Sequence, residues 1–168
     1  MRHTFACGTH TLAVALYGVL RPGDTMLSAT GTPYDTIHSV IGLSGEGQGS
    51  LKDFGVRYRQ AELGQDGLPD LSAICAAIDP STKMVYIQRS RGYSLRPSLS
   101  VRQIGEVVRA VKAVKPDVIV MVDNCYGEFV EESEPLSVGA DLIAGSLIKN
   151  PGGGIARRAA ISRGAQID

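Results

Sequence analysis

The chain has 168 residues and a formal net charge of zero, with 43% hydrophobic and 20% charged residues. This length suffices for one domain with a hydrophobic core, and the composition is ordinary for a soluble globular protein. The neutral balance excludes the basic surface of proteins that bind nucleic acid or anionic membranes, and no apolar run is long enough to span a bilayer.

Segments of helical periodicity alternate with short runs rich in β-branched residues. In chain order, helices are predicted over 9–20, 34–43, 70–79 and 101–114, and strands over 24–30, 56–63, 83–90, 117–123 and 140–148. This alternation predicts a mostly parallel sheet flanked by helices, in a three-layer α/β fold. The apolar stretch near the start is interrupted at residues 8–10, which argues against a signal peptide.

Three cysteines, Cys7, Cys75 and Cys125, lie far apart and form no CxxC pair. This spacing argues against a disulfide framework and against a zinc site. We therefore expect a reducing compartment, the cytoplasm, and no bound metal.

Ligands of open α/β sheets lie beyond the carboxyl ends of the strands, so polar residues that follow strands are candidates for a site. Asp123 closes the apolar run VIVMVD, and Lys149 follows the last predicted strand. A partly desolvated amine has a lowered pKa and can act as a nucleophile. The alternatives are an Asp123–Lys149 salt bridge or two solvated loop residues.

An anion site is predicted at the first predicted helix, where Gly8 and Thr9 stand at the N-terminus. Ser146, three residues before Lys149, could add a hydroxyl group to the same anion. Tyr34 follows a predicted strand and could stack on a flat ligand. An ordinary helix cap and a half-buried loop tyrosine are the alternative interpretations.

These features together suit pyridoxal 5'-phosphate: a phosphate site, an aromatic platform, an aspartate and a lysine. A carboxylate holds the pyridine nitrogen of this cofactor in its protonated form. Arg89 and Arg91 follow a predicted strand, and one of them is expected to contact the phenolic oxygen of the cofactor or a carboxylate. The alternative is an arginine at the surface or at a subunit interface. His10 and Cys125 are either site residues or packed side chains. A further interpretation is that KNPGGGIA binds a nucleotide phosphate. The segment lacks the GxxxxGK[ST] spacing of such loops, which argues against this interpretation.

Four segments carry a resemblance to a known family: RPGDTMLSATGTPYDT, GSLKDFGVRYRQ, IQRSRGYSLRPSL and VDNCYGEFVEESEPLSVGADLIAGSLIKNPGGGIA. They resemble the methionine gamma-lyase-like family, also called the aluminium resistance protein family. This family belongs to the fold-type-I pyridoxal-phosphate enzymes, whose large domain is aspartate aminotransferase-like. The resemblance covers residues 1–156.

The resemblance implies that Lys149 forms the Schiff base with the cofactor and that Asp123 faces the pyridine nitrogen. Gly8, Thr9 and Ser146 would then hold the phosphate, and Tyr34 would stack on the ring. Candidate contacts to the cofactor or substrate are His10, Arg89, Arg91 and Asn124.

The implied activity is α,γ- or α,β-elimination on a sulfur amino acid such as methionine or cystathionine, with Lys149 moving the Cα proton. The family also implies a homo-oligomer with active sites completed across the subunit interface. The isolated chain is expected to be inactive, because in related enzymes the C-terminal domain supplies the arginine that binds the substrate carboxylate. The alternatives for the protein are an inactive fragment or pseudoenzyme, and another pyridoxal-phosphate reaction such as transamination or aldol cleavage.

The chain departs from the family in length and in its last residues. Compared with the family, the chain is expected to lack an N-terminal segment and a C-terminal domain, so residues 1–156 are expected to be a partial large domain. After Ala156 the family continues P-T-G-G-Y-I-A-G-R-A-D, whereas this chain reads RRAAISRGAQID. Permitted codons for Ala156 and RRAAISRGAQID spell the family's continuation when reading starts at the third base of the Ala156 codon, one base before the Arg157 codon. Residues 157–168 are therefore predicted to be out of frame after a one-nucleotide deletion.

Overall fold

The computed structural model of the chain describes residues 5–45, 49–152 and 161–164. In these residues, four α-helices accompany six strands. The helices are α1 (Gly8–Val19), α2 (His38–Ile41), α3 (Leu71–Ala77) and α4 (Val101–Val114). The strands are β1 (Thr25–Ser28), β2 (Arg57–Gln60), β3 (Thr82–Gln88), β4 (Ile119–Asp123), β5 (Leu142–Gly145) and β6 (Ile161–Gly164). No helix within these ranges is both long and apolar enough to cross a membrane.

The strands form one sheet in the order β2-β1-β3-β4-β5-β6. The first five run parallel, and β6 pairs antiparallel with β5. Gln88 at the end of β3 pairs with Asp123 at the end of β4, and Asp123 pairs with Ala144 of β5. The carboxyl ends of these strands therefore meet at one edge of the sheet, where α/β proteins bind ligands.

Each face of the sheet carries its own hydrophobic cluster, because successive side chains of a strand point to opposite faces. Val85 and Ile87 of β3 pack in the cluster that contains residues of α3 and α4. Met84 and Tyr86 pack in the cluster that contains residues of α1 and α2. The predicted α/β fold with helices on both sides of a mostly parallel sheet is thus confirmed.

The predicted helix over 101–114 is confirmed as α4, and its start shows why the prediction succeeds. The Ser100 hydroxyl accepts the Gln103 backbone N–H at 3.2 Å, and the Gln103 side-chain oxygen accepts the Ser100 N–H at 2.9 Å. This capping box satisfies two donors that the first helical turn leaves free.

Most predicted elements are shorter in the structure, and β2 is half of its predicted length. The helix predicted over 34–43 is a 3₁₀ turn (Asp35–Ile37) followed by α2, which Gly42 caps with φ of 95°. The strand predicted over 140–148 ends at Gly145. It ends there because the Ser146 N–H donates to the Glu128 Oε1 at 2.5 Å instead of to a neighbouring strand.

Two described elements were not predicted from the sequence, a 3₁₀ turn (Pro135–Val138) and β6. The predicted frame boundary after Ala156 lies outside the described residues, as do 157–160 and 165–168. Within the predicted out-of-frame tail, the backbone of β6 is described, and Ile161 pairs with Gly145.

Candidate active site

A cavity of about 270 Å³ lies at the carboxyl edge of the sheet, between β4, β5 and the N-terminus of α1. Six of the residues predicted from the sequence line it: Gly8, Thr9, Tyr34, Asp123, Ser146 and Lys149. Cys7, Cys125 and Tyr126 complete much of its wall. The chain therefore brings together residues that are up to 141 positions apart in sequence (149 − 8).

Asp123 is the last residue of β4, and only 4% of its surface is exposed. Its Oδ2 accepts the Tyr86 hydroxyl at 3.1 Å, and its Oδ1 accepts the Cys125 backbone N–H at 3.1 Å. A buried carboxylate needs such donors, because burial without them is costly. These two bonds leave lone pairs on both oxygens free for a ligand in the cavity.

Lys149 stands four residues beyond the end of β5, and its Nζ lies 4.1 Å from the centroid of the Tyr126 ring. No ion pair joins Lys149 to Asp123 in the part of the chain that the structure describes. A cation over a tyrosine ring is attracted by the negative face of the ring. The amine thus lies in the cavity beside an aromatic face, not in the alternative salt bridge.

The N-terminus of α1 and Ser146 form a small polar recess. The backbone N–H groups of the first helical turn have no acceptor within the helix, and the helix dipole adds positive potential there. Ser146 is 1% exposed, and its Oγ has no hydrogen-bond partner among the described residues. A Cβ on Gly8 would lie 3.4 Å from the Cβ of Ser146. Glycine therefore keeps the space between helix and hydroxyl open to a ligand.

Tyr34 lies at the mouth of the cavity, where its N–H donates to the Gln88 side-chain oxygen at 2.6 Å. Its hydroxyl donates to the Tyr93 hydroxyl at 2.6 Å, and this bond, with a smaller contribution from burial, raises the pKa of Tyr34 to about 12. Tyr34 therefore stays neutral at ordinary pH, and its backbone is tied to β3.

Cys125 lies in the cavity wall but is 6% exposed. Burial, followed by the nearby charge of Asp123, raises the pKa of the Cys125 thiol well above its ordinary value. The thiol is therefore protonated at neutral pH and a poor nucleophile. Within the described residues, no group of three or more His, Cys, Asp or Glu side chains is placed to share a metal ion.

Three residues predicted as candidate contacts do not line this cavity. His10 is exposed, and its Nδ1 accepts the Ala6 N–H at 3.0 Å. Arg91 is exposed and lines a neighbouring cavity. Asn124 is 2% exposed. Its Oδ1 accepts a hydrogen bond from the Arg89 Nη1 at 2.8 Å, and its Nδ2 donates to the Glu134 Oε2 at 2.8 Å.

Arg89 contacts carboxylates, as one interpretation of the sequence allowed, but they are those of Glu131 and Glu134 in the same chain. It is 3% exposed and does not line the lysine cavity. Its Nη1 donates to the carbonyl oxygen of Gly127 at 2.8 Å, and its Nη2 to Glu131 at 2.6 Å. A Cβ on Gly127 would lie 2.4 Å from the Arg89 side chain. Arg89 is therefore an internal residue that ties the turn after β4 to β3.

Two residues at the site were not found from the sequence. The ring of Tyr126 lies against the Lys149 amine. The Tyr126 backbone is left-handed, with φ of 66°. Glu128 is 3% exposed and ends β5 by accepting the Ser146 N–H. Neither gives a sequence signal, because an aromatic and an acidic residue in a loop are usually exposed.

The comparisons with known proteins cover nearly the whole chain. A family model described as methionine gamma-lyase matches residues 1–166. The chain is 55% identical over 158 residues to the YnbB protein of Bacillus subtilis (strain 168), covering 94% of this chain and 38% of YnbB. It is 28% identical over 148 residues to L-methionine gamma-lyase of Pseudomonas putida, covering 86% of this chain and 31% of that enzyme.

A solved structure shares both sequence and fold with the chain. The carbon-sulfur lyase involved in aluminum resistance from Clostridium novyi NT superposes with a TM-score of 0.89 at 51% identity. The match covers 95% of this chain and 38% of that protein, so the chain spans well under half the length of these relatives. The fold-type-I assignment and the resemblance drawn from the motifs are confirmed, and the chain belongs to the methionine gamma-lyase family.

Proposed function

We propose that the cavity holds pyridoxal 5'-phosphate and that the protein acts as a carbon–sulfur lyase on a sulfur amino acid. The observation that carries the proposal is the buried Ser146 hydroxyl without a partner, which faces the N-terminus of α1 in the cavity of Asp123 and Lys149. An unbonded buried hydroxyl is costly unless a ligand completes it. A phosphate group suits that position, since it accepts hydrogen bonds and is negatively charged.

The other residues of the cavity fit the remaining parts of the cofactor. Asp123 presents a buried carboxylate for the ring nitrogen. Tyr34 lines the same cavity, and its ring is proposed to stack on the cofactor. The cofactor supplies an electron sink for negative charge that develops at the substrate Cα. Arg89, Arg91, His10 and Asn124 are not assigned a contact with it.

Lys149 is proposed to bind the cofactor covalently and to carry the proton removed from Cα. The Lys149 side chain is half-buried, and its amine lies against the ring of Tyr126, which lines the same cavity. A neutral Lys149 amine can accept the Cα proton as a general base, and the resulting ammonium can then donate a proton to the departing sulfur as a general acid. Elimination of a thiol needs that second transfer.

The choice of a sulfur amino acid as substrate rests on the family, whose relatives are lyases of that class. The test is to express the full-length protein with the reading frame after Ala156 restored, to incubate it with pyridoxal phosphate and methionine or cystathionine, and to measure 2-oxo acid and thiol release. We expect both products, at equal rates, and at least about 100-fold slower release of each from a Lys149→Ala variant. Binding of the cofactor without either product would refute lyase activity while leaving the cofactor site intact.

Ser146→Ala is expected to weaken pyridoxal phosphate binding about tenfold, because it removes one hydrogen bond to a charged group. Ser137 supplies a matched control, since its hydroxyl donates to the Glu134 backbone carbonyl and lies outside the lysine cavity. Titration of cofactor absorbance should give a shifted dissociation constant for Ser146→Ala and an unchanged one for Ser137→Ala. Equal constants for wild type and Ser146→Ala would remove Ser146 from the phosphate site.

We further propose a homo-oligomer in a reducing, cytoplasmic compartment. Tyr126 lines the lysine cavity and is 59% exposed, and Tyr93 lines the neighbouring cavity of Arg91 and is 82% exposed. Large exposed aromatic groups are typical of interaction surfaces. The cysteines Cys7, Cys75 and Cys125 are all free thiols, which fits a reducing environment.

We also propose that residues 157–168 are translated out of frame. The proposal rests on the codon argument that connects RRAAISRGAQID with the family's own continuation. Sequencing the gene across the Ala156 codon is expected to show that one added base restores P-T-G-G-Y-I-A-G-R-A-D. DNA in which no single-base insertion restores that text would contradict the proposal.

A further inference from the structure

Tyr86 is a fully buried tyrosine in the middle of the sheet, with 0% of its surface exposed. It lies on β3 in a cluster that includes Met26, Met84 and Met121. Its hydroxyl donates to the Asp123 Oδ2 at 3.1 Å. Because a phenol group in apolar surroundings needs a partner, this bond accounts for a polar atom at the centre of the core.

The register of the sheet places the two residues together. Tyr86 pairs with Met121, and Gln88 pairs with Asp123, so Tyr86 and Asp123 are diagonal neighbours on adjacent strands. Residues two apart on a strand share a face, so both side chains lie on the α1 side of the sheet. The lysine cavity lies on that side, at the N-terminus of α1.

Toward Asp123, the Tyr86 hydroxyl acts as the donor. Burial, followed by the charge of Asp123, raises the pKa of the Tyr86 phenol well above its ordinary value, so the phenol keeps its proton at neutral pH. Asp123 receives a second donor, the Cys125 N–H, on its other oxygen. Two donors on different oxygens fix the plane of the carboxylate.

We propose that Tyr86 is a positioning residue of the cofactor site, which orients the Asp123 carboxylate toward the ring nitrogen of pyridoxal phosphate and limits its attraction for the ring proton. This inference rests on the proposed function. Without the hydroxyl, Asp123 loses one of its two fixed donors and competes more strongly for the proton shared with the ring nitrogen. The bound cofactor would then hold that proton less firmly.

The test is Tyr86→Phe, which removes one oxygen atom and preserves the ring. We expect pyridoxal phosphate to bind about three- to tenfold more weakly, an effect the size of one ordinary hydrogen bond, because the Tyr86 hydroxyl acts on the cofactor only through Asp123. The ¹⁵N resonance of the cofactor ring nitrogen should move toward the value of neutral pyridine. Tyr58→Phe is the matched control, because Tyr58 lies two strands away in the same cluster and donates to Gln60.

A double-mutant cycle separates positioning from general stability. In an Asp123→Asn background, Tyr86→Phe should change cofactor affinity by less than about twofold, since Tyr86 acts through the carboxylate. Equal weakening in both backgrounds, or an unchanged ¹⁵N resonance in Tyr86→Phe, would overturn the inference. Suppose that the wild-type protein binds the cofactor, that Asp123→Asn lowers the affinity and that Tyr86→Phe has the wild-type affinity. Then only this inference fails, and the proposed cofactor site stands. If wild type binds no cofactor, the proposed function fails with it.

Discussion

Lys149→Ala is expected to abolish the absorbance band of pyridoxal phosphate bound covalently to the chain. In the full-length protein with the restored frame it is expected to reduce 2-oxo acid release by at least about 10²- to 10⁴-fold, the range for loss of a general acid–base group. Lys149 is the lysine that lines the cavity in the described part of the chain. Its amine lies 4.1 Å from the Tyr126 ring centroid and has no competing ion pair there. The measurement is cofactor absorbance and product release, each compared with wild type.

Lys52→Ala is the control for this experiment, because Lys52 is exposed and lies outside the cavity. It should retain wild-type absorbance and activity. Ser146 and the N-terminus of α1 are untouched in Lys149→Ala, so weak, non-covalent binding of the cofactor phosphate should persist. A Lys149→Ala protein with wild-type absorbance and product release would contradict the assignment of Lys149.

Arg89→Met is expected to lower the free energy of unfolding by about 3 kcal/mol, because two carbonyl groups each lose a buried charged donor at a cost of about 1–3 kcal/mol. The change removes the donors to the Leu99 and Gly127 carbonyl oxygens and to Glu131. These carbonyl groups would be left without their buried partner, and the turn that carries Tyr126 would lose its link to β3. Chemical denaturation measures the difference.

Arg91→Met is the matched control, since Arg91 is exposed and lies two residues further along the same loop. Its free energy of unfolding should change by less than about 0.5 kcal/mol, as for most surface substitutions. A loss below about 1 kcal/mol in Arg89→Met would mean that the Arg89 network contributes little to stability.

The fold was predictable because its signals are local and repeated. β4 is a continuous apolar run that ends in a charged residue, and α4 combines a serine cap with a regular apolar face. Once the strands were known to be parallel, their polar end residues had to meet at one edge. The joint placement of Asp123, Ser146 and Lys149 follows from that rule and from their positions after the strands.

The contacts between side chains at the site were not predictable in the same way. Arg89 binds carbonyl groups from two loops, and the path of those loops depends on the packed structure. Tyr86 meets Asp123 only because β3 and β4 pair in one register, and a shift by one residue would send Tyr86 to the other face. The left-handed backbone of Tyr126 likewise has no sequence signal, since most residues with positive φ are glycine or asparagine.

The central claim is that pyridoxal phosphate occupies this cavity and is joined to Lys149. The direct test is to incubate the chain with the cofactor, reduce it with borohydride, digest it and map the modified lysine by mass spectrometry. The structure predicts one pyridoxyl group, on the peptide that contains Lys149, and none on peptides that contain Lys52, Lys112 or Lys115. Modification spread over surface lysines, or none at Lys149, would contradict the claim.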